Sequence, residues 1–217
     1  MKTKRNFSMA VCLILSFILW TVLISFIDVK PIGPQESCVG FAILNGFFHN
    51  LTGVNMTLYT ITDWLGLVPV FVALMFAFLG LAQWIKRKNI LKVDYSILTL
   101  GGFYLLVIAL YILFENVVIN YRPTLINGYL EVSYPSSTTL LVLTVMPTAI
   151  MQIKTRIKNK ICRKTLCVSI ALFIGFMVIG RLVSGVHWVT DIIGGALLSA
   201  GIVTLYYSVV KIIHKEN

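Results

Sequence analysis

The sequence predicts an all-α protein that crosses a membrane six times, with its N- and C-termini both in the cytoplasm. Two observations predict this class. Of the 217 residues, 58% are hydrophobic and only 12% are charged, and the apolar residues form long runs separated by short basic segments. Such a composition leaves too little polar surface to cover a soluble globule. The net charge of +10 is therefore interpreted as a signal of membrane orientation, and no nucleic-acid partner is predicted.

Six apolar runs are predicted to be the membrane spans, because about 20 helical residues cross the ~30 Å hydrocarbon core of a bilayer. The first run follows basic residues, as a signal peptide does. It is longer than the apolar part of a signal peptide and no small-x-small cleavage site follows it, so we expect it to remain as a helix. The approximate bounds of the spans are 7–27, 64–85, 97–118, 138–153, 165–183 and 189–213.

The region from Asp28 to Asp63 differs from the spans, since polar and apolar residues are mixed in it and two prolines interrupt it. Its moderately apolar piece, residues 39–48, is too short to cross a bilayer. We expect this piece to form an interfacial or re-entrant helix.

Basic residues set the predicted orientation. Both termini and the connections after the second and fourth spans lie on one side, and they hold 15 of the 18 lysines and arginines. An excess of positive charge marks the cytoplasmic side of a membrane protein. The other side then holds the remaining basic residues and several titratable ones: Lys30, Arg122, Arg181, Glu115, Glu131, His187 and Asp191. The chain is predicted to form one domain, residues 1–217, with an extracytoplasmic pocket.

The segment 180–191 places Arg181, His187 and Asp191 where the fifth span ends and the sixth begins. Ionisable residues are costly there and usually pair, line a polar cavity or take part in chemistry. His187 and Asp191 are four residues apart, so on a helix they share a face, and the carboxylate can fix the tautomer of the imidazole. The other ring nitrogen is then free to act as nucleophile or base. Arg181 and Arg122 supply planar charged groups suited to phosphate.

Hydroxyl residues open the fourth span. Pro135, Ser136, Ser137 and Thr138 form a favourable helix N-terminus, whose free N–H groups and dipole can bind an anion. Each candidate group also has a purely structural interpretation. The hydroxyls can be helix caps, the arginines can be interfacial residues that reach water, and the histidine can be a buried, hydrogen-bonded side chain. Their convergence on one side of the bundle favours a functional site.

Three short motifs occur in order between residues 115 and 191: Arg122-Pro123, the segment Tyr134-Pro135-Ser136, and Arg181 with five residues to His187 and three more to Asp191. Their order and spacing, together with six spans, resemble the type 2 phosphatidic acid phosphatase family. The third motif is the most specific, and the first two are partial. The resemblance implies that His187 attacks phosphorus to give a phosphohistidine and that Asp191 orients it. It also implies that Arg122 and Arg181 bind the phosphate.

The chain departs from this family pattern at three positions. Glu115 occupies the position of a lysine, Thr138 that of the histidine that protonates the leaving oxygen, and Gly180 that of a serine. Loss of a general acid typically lowers the rate by about 10²- to 10⁴-fold. Glu115 or Glu131 can replace the acid if its carboxyl holds a proton, although Glu115 can equally pair with Arg122.

Two explanations of the missing acid remain open. In the first, the substrate is a polyprenyl diphosphate such as undecaprenyl diphosphate. Its leaving group is a phosphate monoester whose second pKa is about 6, so it departs with little protonation. In the second, the protein has lost turnover and binds lipid phosphates without cleaving them. The hydrolytic explanation is favoured, because a His/Asp pair is costly to keep at this location in a mere binder.

The resulting prediction is a membrane lipid phosphatase that acts on a lipid phosphate or diphosphate at the extracytoplasmic face of the cell membrane. The phosphate is expected to contact Arg122, Arg181, Ser136, Ser137 and Thr138, and the lipid tail to lie between helices, open to the bilayer. No metal or cofactor is predicted, because the sequence contains no cluster of ligand-type residues. A transporter is less favoured, since transporter sites lie near the bilayer midplane.

Overall fold

The computed structural model describes the backbone of residues 2–216 and the side chains of residues 4–213. The side chains of Lys2 and Lys215, which belong to the predicted orientation signal, lie outside the described part. Short 3₁₀ turns occur at Pro34–Glu36 and Ile90–Lys92. Within this part, the α-helices are α1 (Lys2–Phe26), α2 (Ala42–Thr52), α3 (Met56–Leu65), α4 (Leu67–Arg87), α5 (Tyr95–Asn116), α6 (Ser137–Arg156), α7 (Lys160–Val183) and α8 (Val189–Glu216).

Six helical segments in the described part are long and apolar enough to cross a membrane, which confirms the predicted class. Five of them are α1, α5, α6, α7 and α8, and their bounds agree with the predicted spans to within a few residues. The second span is the exception. It consists of α3 and α4, which follow one another through Gly66 and together cover Met56–Arg87.

The prediction that the second span begins at residue 64 was therefore wrong by eight residues. These residues are polar enough to resemble a loop, but their polar groups are satisfied by the helix itself. The Asn55 side chain caps α3 by accepting a hydrogen bond from the Leu58 N–H at 2.9 Å. The hydroxyls of Thr60 and Thr62 donate to the carbonyl oxygens of Met56 and Leu58, one turn earlier.

The predicted short helix between the first two spans is present as α2, three residues later than expected. Its buried Asn45 joins it to the first turn of α8. The Asn45 amide donates to the Thr190 hydroxyl at 3.0 Å, and its oxygen accepts from the Thr190 N–H at 3.2 Å. This contact fixes the end of the bundle at which α8 begins.

Helix α6 lies at the centre of the bundle and contacts α4, α5, α7 and α8. Its most apolar stretch is 56% buried, whereas the corresponding stretch of α3 and α4 is only 6% buried. Helix α1 packs along α8, and the Phe17 ring stacks on the Tyr134 ring at 6.2 Å. The outer helices therefore expose large apolar side chains around the bundle, as a lipid-facing surface requires.

The two ends of the bundle differ in charge. The connection between α4 and α5 and the end of α6 share one end, where the Asp94 carboxylate binds both Arg87 and Arg156 at 3.0 Å. We call this the basic end, because most lysines and arginines lie there. The segments 27–55, 117–136 and 184–188 share the other end, which we call the site end.

A first prediction concerns the contact between α1 and the segment before α2. A methyl group added at Gly40 would lie 1.7 Å from the Ile24 carbonyl oxygen, a main-chain atom that cannot move independently. We expect Gly40→Ala to lower the free energy of unfolding by about 3 kcal/mol, the upper part of the range for overpacking. Thermal unfolding in detergent measures this effect.

The matched control is Gly46→Ala in α2, where the nearest atom to an added methyl group is Ile32 Cδ1 at 4.0 Å. Replacing a helical glycine with alanine at an open position stabilises a helix by about 0.5–1 kcal/mol. Equal stability of the two variants would contradict the packing described between α1 and residue 40.

Candidate active site

The structure brings Arg122, Arg181 and His187 together at the site end. The Nη1 atom of Arg122 and the Nη2 atom of Arg181 each lie 3.3 Å from His187 Nε2. All three residues are at least nine-tenths buried. Two guanidiniums from different segments therefore meet at one nitrogen of one imidazole.

Arg122 is positioned by a short hairpin between α5 and α6. The Arg122 N–H donates to the Glu131 carbonyl at 3.0 Å, and the Ser133 N–H donates to the Asn120 carbonyl at 2.9 Å. The chain reverses at Asn127 and Gly128, which both have positive φ angles of 51° and 82°. An Asn-Gly pair is the preferred sequence for such a two-residue turn. The hairpin thus carries Asn120, Arg122 and Ser133 toward the bundle.

Arg181 occupies the last turn of α7 and packs against α3. Its guanidinium Cζ lies 4.8 Å from the centre of the Tyr59 ring, and its Nη1 lies 3.5 Å from Asp63 Oδ1. The Cζ of Arg122 lies 5.7 Å from the same ring. The aromatic ring and the carboxylate offset part of the repulsion between the two buried cations. Sequence reasoning missed Tyr59 and Asp63, because it placed them in the mixed polar and apolar region before the second span.

The protonation pattern of His187 follows from its neighbours. A guanidinium can only donate hydrogen bonds, so Nε2 must accept and therefore has no proton. Burial, together with the positive charges of Arg122 and Arg181, holds the pKa of His187 well below its usual value of 6.5. The imidazole is consequently neutral near neutral pH, with the Nε2 lone pair directed between two cations.

Asp191 lies in the first turn of α8, as the spacing predicted, and is fully buried. Its Oδ2 accepts from the Trp188 N–H at 2.9 Å, and its Oδ1 accepts from the Asn120 amide at 3.2 Å. The distance from Asp191 Oδ2 to His187 Nδ1 is 3.8 Å. The Ser133 hydroxyl lies between them, 2.5 Å from Asp191 Oδ2 and 3.1 Å from His187 Nδ1.

Ser133 and Asn120 were not among the residues singled out from the sequence. Ser133 lies two residues before the Pro135-Ser136 pair, but a lone serine at this position carries no distinctive signal. It reaches His187, 54 residues away, through the hairpin pairing.

The three hydroxyl residues predicted to contact the phosphate do not all lie at the cavity. Ser136 is the N-cap of α6, because its hydroxyl accepts from the Thr139 N–H at 3.5 Å, and it also accepts from the Thr139 hydroxyl at 3.0 Å. Ser137 lines the cavity beside His187. Thr138 is not among the described residues that line this cavity. The N–H groups of Ser137 and Thr138 belong to the first helical turn and have no acceptor within the helix.

Glu131 and Glu115, the two candidate acids, also have different surroundings. Glu131 forms the ion pair with Arg122, since its Oε2 lies 3.1 Å from the Arg122 Nε. Glu115 lines the cavity together with Arg122, Ser133, Ser137 and His187. Its carboxyl is therefore close to the candidate phosphate position.

The cavity itself is small, with a volume of about 20 Å³. It opens between α5 and α6, where Leu110, Phe114 and Leu140 form its apolar wall. The Nε atoms of Arg122 and Arg181 are buried and make no hydrogen bond of good geometry among the described residues, despite the nearby Glu131 carboxylate. Arg122 lines this cavity, whereas Arg181 is not among the described residues that line it and reaches its edge only through His187. An unfilled guanidinium donor at the wall of a cavity is the arrangement expected of an oxyanion site.

The fold and this site define an integral membrane protein with a buried Arg/Arg/His/Asp centre at one end of a helical bundle. Residues 101–215 match the model of the PAP2 superfamily, and the chain belongs to this family. The resemblance noted from the three motifs is thereby confirmed.

A solved structure has the same fold. It is a transmembrane PAP2-type phosphatidylglycerolphosphate phosphatase from Bacillus subtilis, with a TM-score of 0.59 and 18% sequence identity. The match covers 95% of this chain and 96% of that chain. No curated protein sequence matches this chain.

A second prediction follows from the low pKa of His187. Below about pH 6.5 the unfolded chain binds a proton at this residue and the folded chain does not, so stability falls as the pH falls. We expect the thermal midpoint of the wild type to drop more between about pH 7.5 and about pH 5 than that of His187→Gln.

The comparison between these two proteins isolates His187, because His49 has a pKa that is also lowered by burial and is present in both. An equal drop in the two proteins would mean that the folded imidazole binds a proton as readily as the unfolded one.

Proposed function

We propose that this protein is a membrane lipid phosphatase that hydrolyses a lipid phosphate or a polyprenyl diphosphate through a phosphohistidine intermediate. The observation that supports this most directly is the unprotonated Nε2 of His187, which lies 3.3 Å from both Arg122 Nη1 and Arg181 Nη2. A neutral imidazole between two cations is a nucleophile adjacent to a phosphate-binding site. Membership of the PAP2 superfamily is consistent with this chemistry.

The proposed reaction has two steps. In the first, the Nε2 lone pair forms a bond to phosphorus and the bond from phosphorus to the leaving oxygen breaks. The guanidiniums of Arg122 and Arg181 bind the non-bridging phosphate oxygens, whose negative charge they stabilise. In the second, water attacks phosphorus, inorganic phosphate leaves and His187 regains its lone pair. The first-turn N–H groups of Ser137 and Thr138 supply further donors for the anion.

A diphosphate is the favoured substrate because Thr138 occupies the position at which the family pattern has a proton-donating histidine. A threonine hydroxyl does not release a proton near neutral pH, so an alkoxide leaving group would depart unassisted. A phosphate monoester, with a second pKa of about 6, departs without an acid. Glu115 lines the cavity and is the candidate to protonate a poorer leaving group.

The lipid tail has a candidate location next to this cavity. An apolar cavity of about 590 Å³ lies between α4, α5 and α6, and its lining includes Val107 and Ile108. The small polar cavity begins one turn further along α5, at Leu110 and Tyr111. We propose that the tail occupies the apolar cavity and that the phosphate group binds at the small cavity, which must widen to admit it because its volume of about 20 Å³ is close to that of one water molecule.

The site is proposed to face the extracytoplasmic side. The basic end of the bundle holds most of the lysines and arginines, and positive charge favours the cytoplasmic side. The alternative function, a protein that binds lipid phosphates without turnover, shares the arginines but forms no covalent bond to His187. The missing acid at Thr138 is the observation that favours this alternative.

A third prediction tests substrate and mechanism. Purified protein is assayed for phosphate release from phosphatidate, phosphatidylglycerophosphate and undecaprenyl diphosphate. We expect the diphosphate to be cleaved at least about 10²-fold faster than the monoesters, the lower bound of the effect of a general acid. Monoesters cleaved as fast as the diphosphate would contradict the diphosphate hypothesis.

The controls for this assay are His187→Ala and His49→Gln. The first is expected to abolish turnover, and the second to retain it, because His49 packs on Trp188 and does not line the cavity. When the reaction with substrate radiolabelled at its terminal phosphate is stopped with alkaline detergent, in which a phosphohistidine is stable, covalently bound label should remain on the wild type and none on His187→Ala. Binding of the labelled lipid without any trapped adduct or released phosphate would favour the non-catalytic alternative.

A fourth prediction concerns sidedness, and the native cysteines provide the probes. Cys38 is exposed at the site end and Cys162 is exposed at the basic end, where α7 begins. Variants that keep one of these and replace the other cysteines by serine are treated with a membrane-impermeant maleimide on intact cells. We expect Cys38 to react and Cys162 to react only after lysis; the opposite pattern would place the site on the cytoplasmic side.

A further inference from the structure

We infer that Ser133 is a positioning residue that links Asp191 to His187 through its hydroxyl. This inference rests on the proposed function, since it assigns Ser133 a part in holding the nucleophile. It differs from the arrangement that the family resemblance implies, in which the aspartate orients the histidine directly. Ser133 is 3% exposed, and its hydroxyl contacts both residues.

The donor and acceptor in each hydrogen bond between His187, Ser133 and Asp191 follow from the groups that surround these three residues. The guanidiniums of Arg122 and Arg181 can only donate, so His187 Nε2 accepts and the ring proton of a neutral imidazole resides on Nδ1. Nδ1–H then donates to Ser133 Oγ at 3.1 Å. The single hydroxyl proton of Ser133 is left to donate to Asp191 Oδ2 at 2.5 Å. Each donor in this relay then has an acceptor, and the imidazole also forms a hydrogen bond with the Ser133 backbone.

Asp191 is not free to replace this link by moving closer. Its Oδ2 also accepts from the Trp188 N–H at 2.9 Å, and its Oδ1 accepts from the Asn120 amide at 3.2 Å. Its carbonyl oxygen accepts from the Ser136 N–H at 3.2 Å, which joins the starts of α6 and α8. With the carboxylate held at both oxygens, the 3.8 Å gap to His187 Nδ1 is spanned by the serine hydroxyl.

The link matters when charge develops on the imidazole. As Nε2 bonds to phosphorus, the ring keeps its Nδ1 proton and becomes cationic. The Ser133 oxygen, polarised by the Asp191 carboxylate, accepts a stronger hydrogen bond from that proton. No proton leaves the ring in this arrangement. The hydroxyl therefore stabilises the cationic ring more than the neutral one, and its loss should reduce kcat.

Ser133→Ala tests the link in two independent ways. With the preferred substrate of the purified wild type, we expect kcat to fall by about 10- to 100-fold with KM changed less than about threefold, since the lost bond involves a charged group. Ser133→Thr keeps a hydroxyl and should recover most of the lost rate. Ser199→Ala removes another buried serine hydroxyl, one that donates only to the backbone carbonyls of Gly195 in α8 and Leu140 in α6, and should leave kcat unchanged.

The second measurement needs no substrate and therefore does not depend on the proposed activity. In protein labelled with ¹⁵N at histidine, the His187 Nδ1–H signal, identified by its absence in His187→Gln, should lie downfield and exchange slowly. It should move upfield or broaden in Ser133→Ala and remain in place in Ser133→Thr and Ser199→Ala. Absence of phosphatase activity would defeat the proposed function while leaving this test valid.

Two results would overturn the inference. An unchanged Nδ1–H signal and unchanged kcat in a folded Ser133→Ala protein would show that Ser133 merely fills space. A Ser133→Ala protein with full activity and a signal further downfield would show that Asp191 reaches His187 directly once the hydroxyl is removed.

Discussion

The arrangement at the site end depends on two buried guanidiniums sharing one unprotonated imidazole nitrogen. Placing like charges together in a buried location is unfavourable unless nearby groups compensate them. The structure supplies that compensation through Glu131 on Arg122, Asp63 on Arg181, and the Tyr59 ring beside both. The remaining unfilled donors fit the proposed oxyanion site, while burial and the same two charges together keep the imidazole neutral.

The bundle holds these groups in place through contacts between its least regular segments. The hairpin before α6 delivers Arg122 and Ser133, and the Asn120 amide binds Asp191 at the start of α8. The Trp188 indole in turn donates to the Tyr121 carbonyl at 2.7 Å. On the far side of α8, Asn45 binds Thr190. The N-terminal turn of α8 is therefore fixed from two directions, and the position of His187, which immediately precedes this turn, is fixed with it.

The departures from the family pattern have a common chemical consequence. Thr138 removes the usual proton source, and Glu115 introduces a carboxyl into the wall of the cavity. A substrate whose leaving group is already acidic requires the least from such a site. The apolar cavity between α4, α5 and α6, with a volume of about 590 Å³, is the proposed location of the lipid tail and would suit a prenyl chain as well as an acyl one.

The sequence by itself determined the six spans, since hydropathy over about 20 residues reflects the thickness of a bilayer and requires no knowledge of packing. It also singled out Arg122, Arg181, His187 and Asp191, because ionisable residues beside apolar segments are conspicuous. The tertiary structure alone decided where the second span begins, because α3 packs against α7, and it alone decided the contacts of Tyr59, Asn120 and Ser133. These residues act through partners 54 or more positions away, and common residue types at long separations leave no local periodic signal.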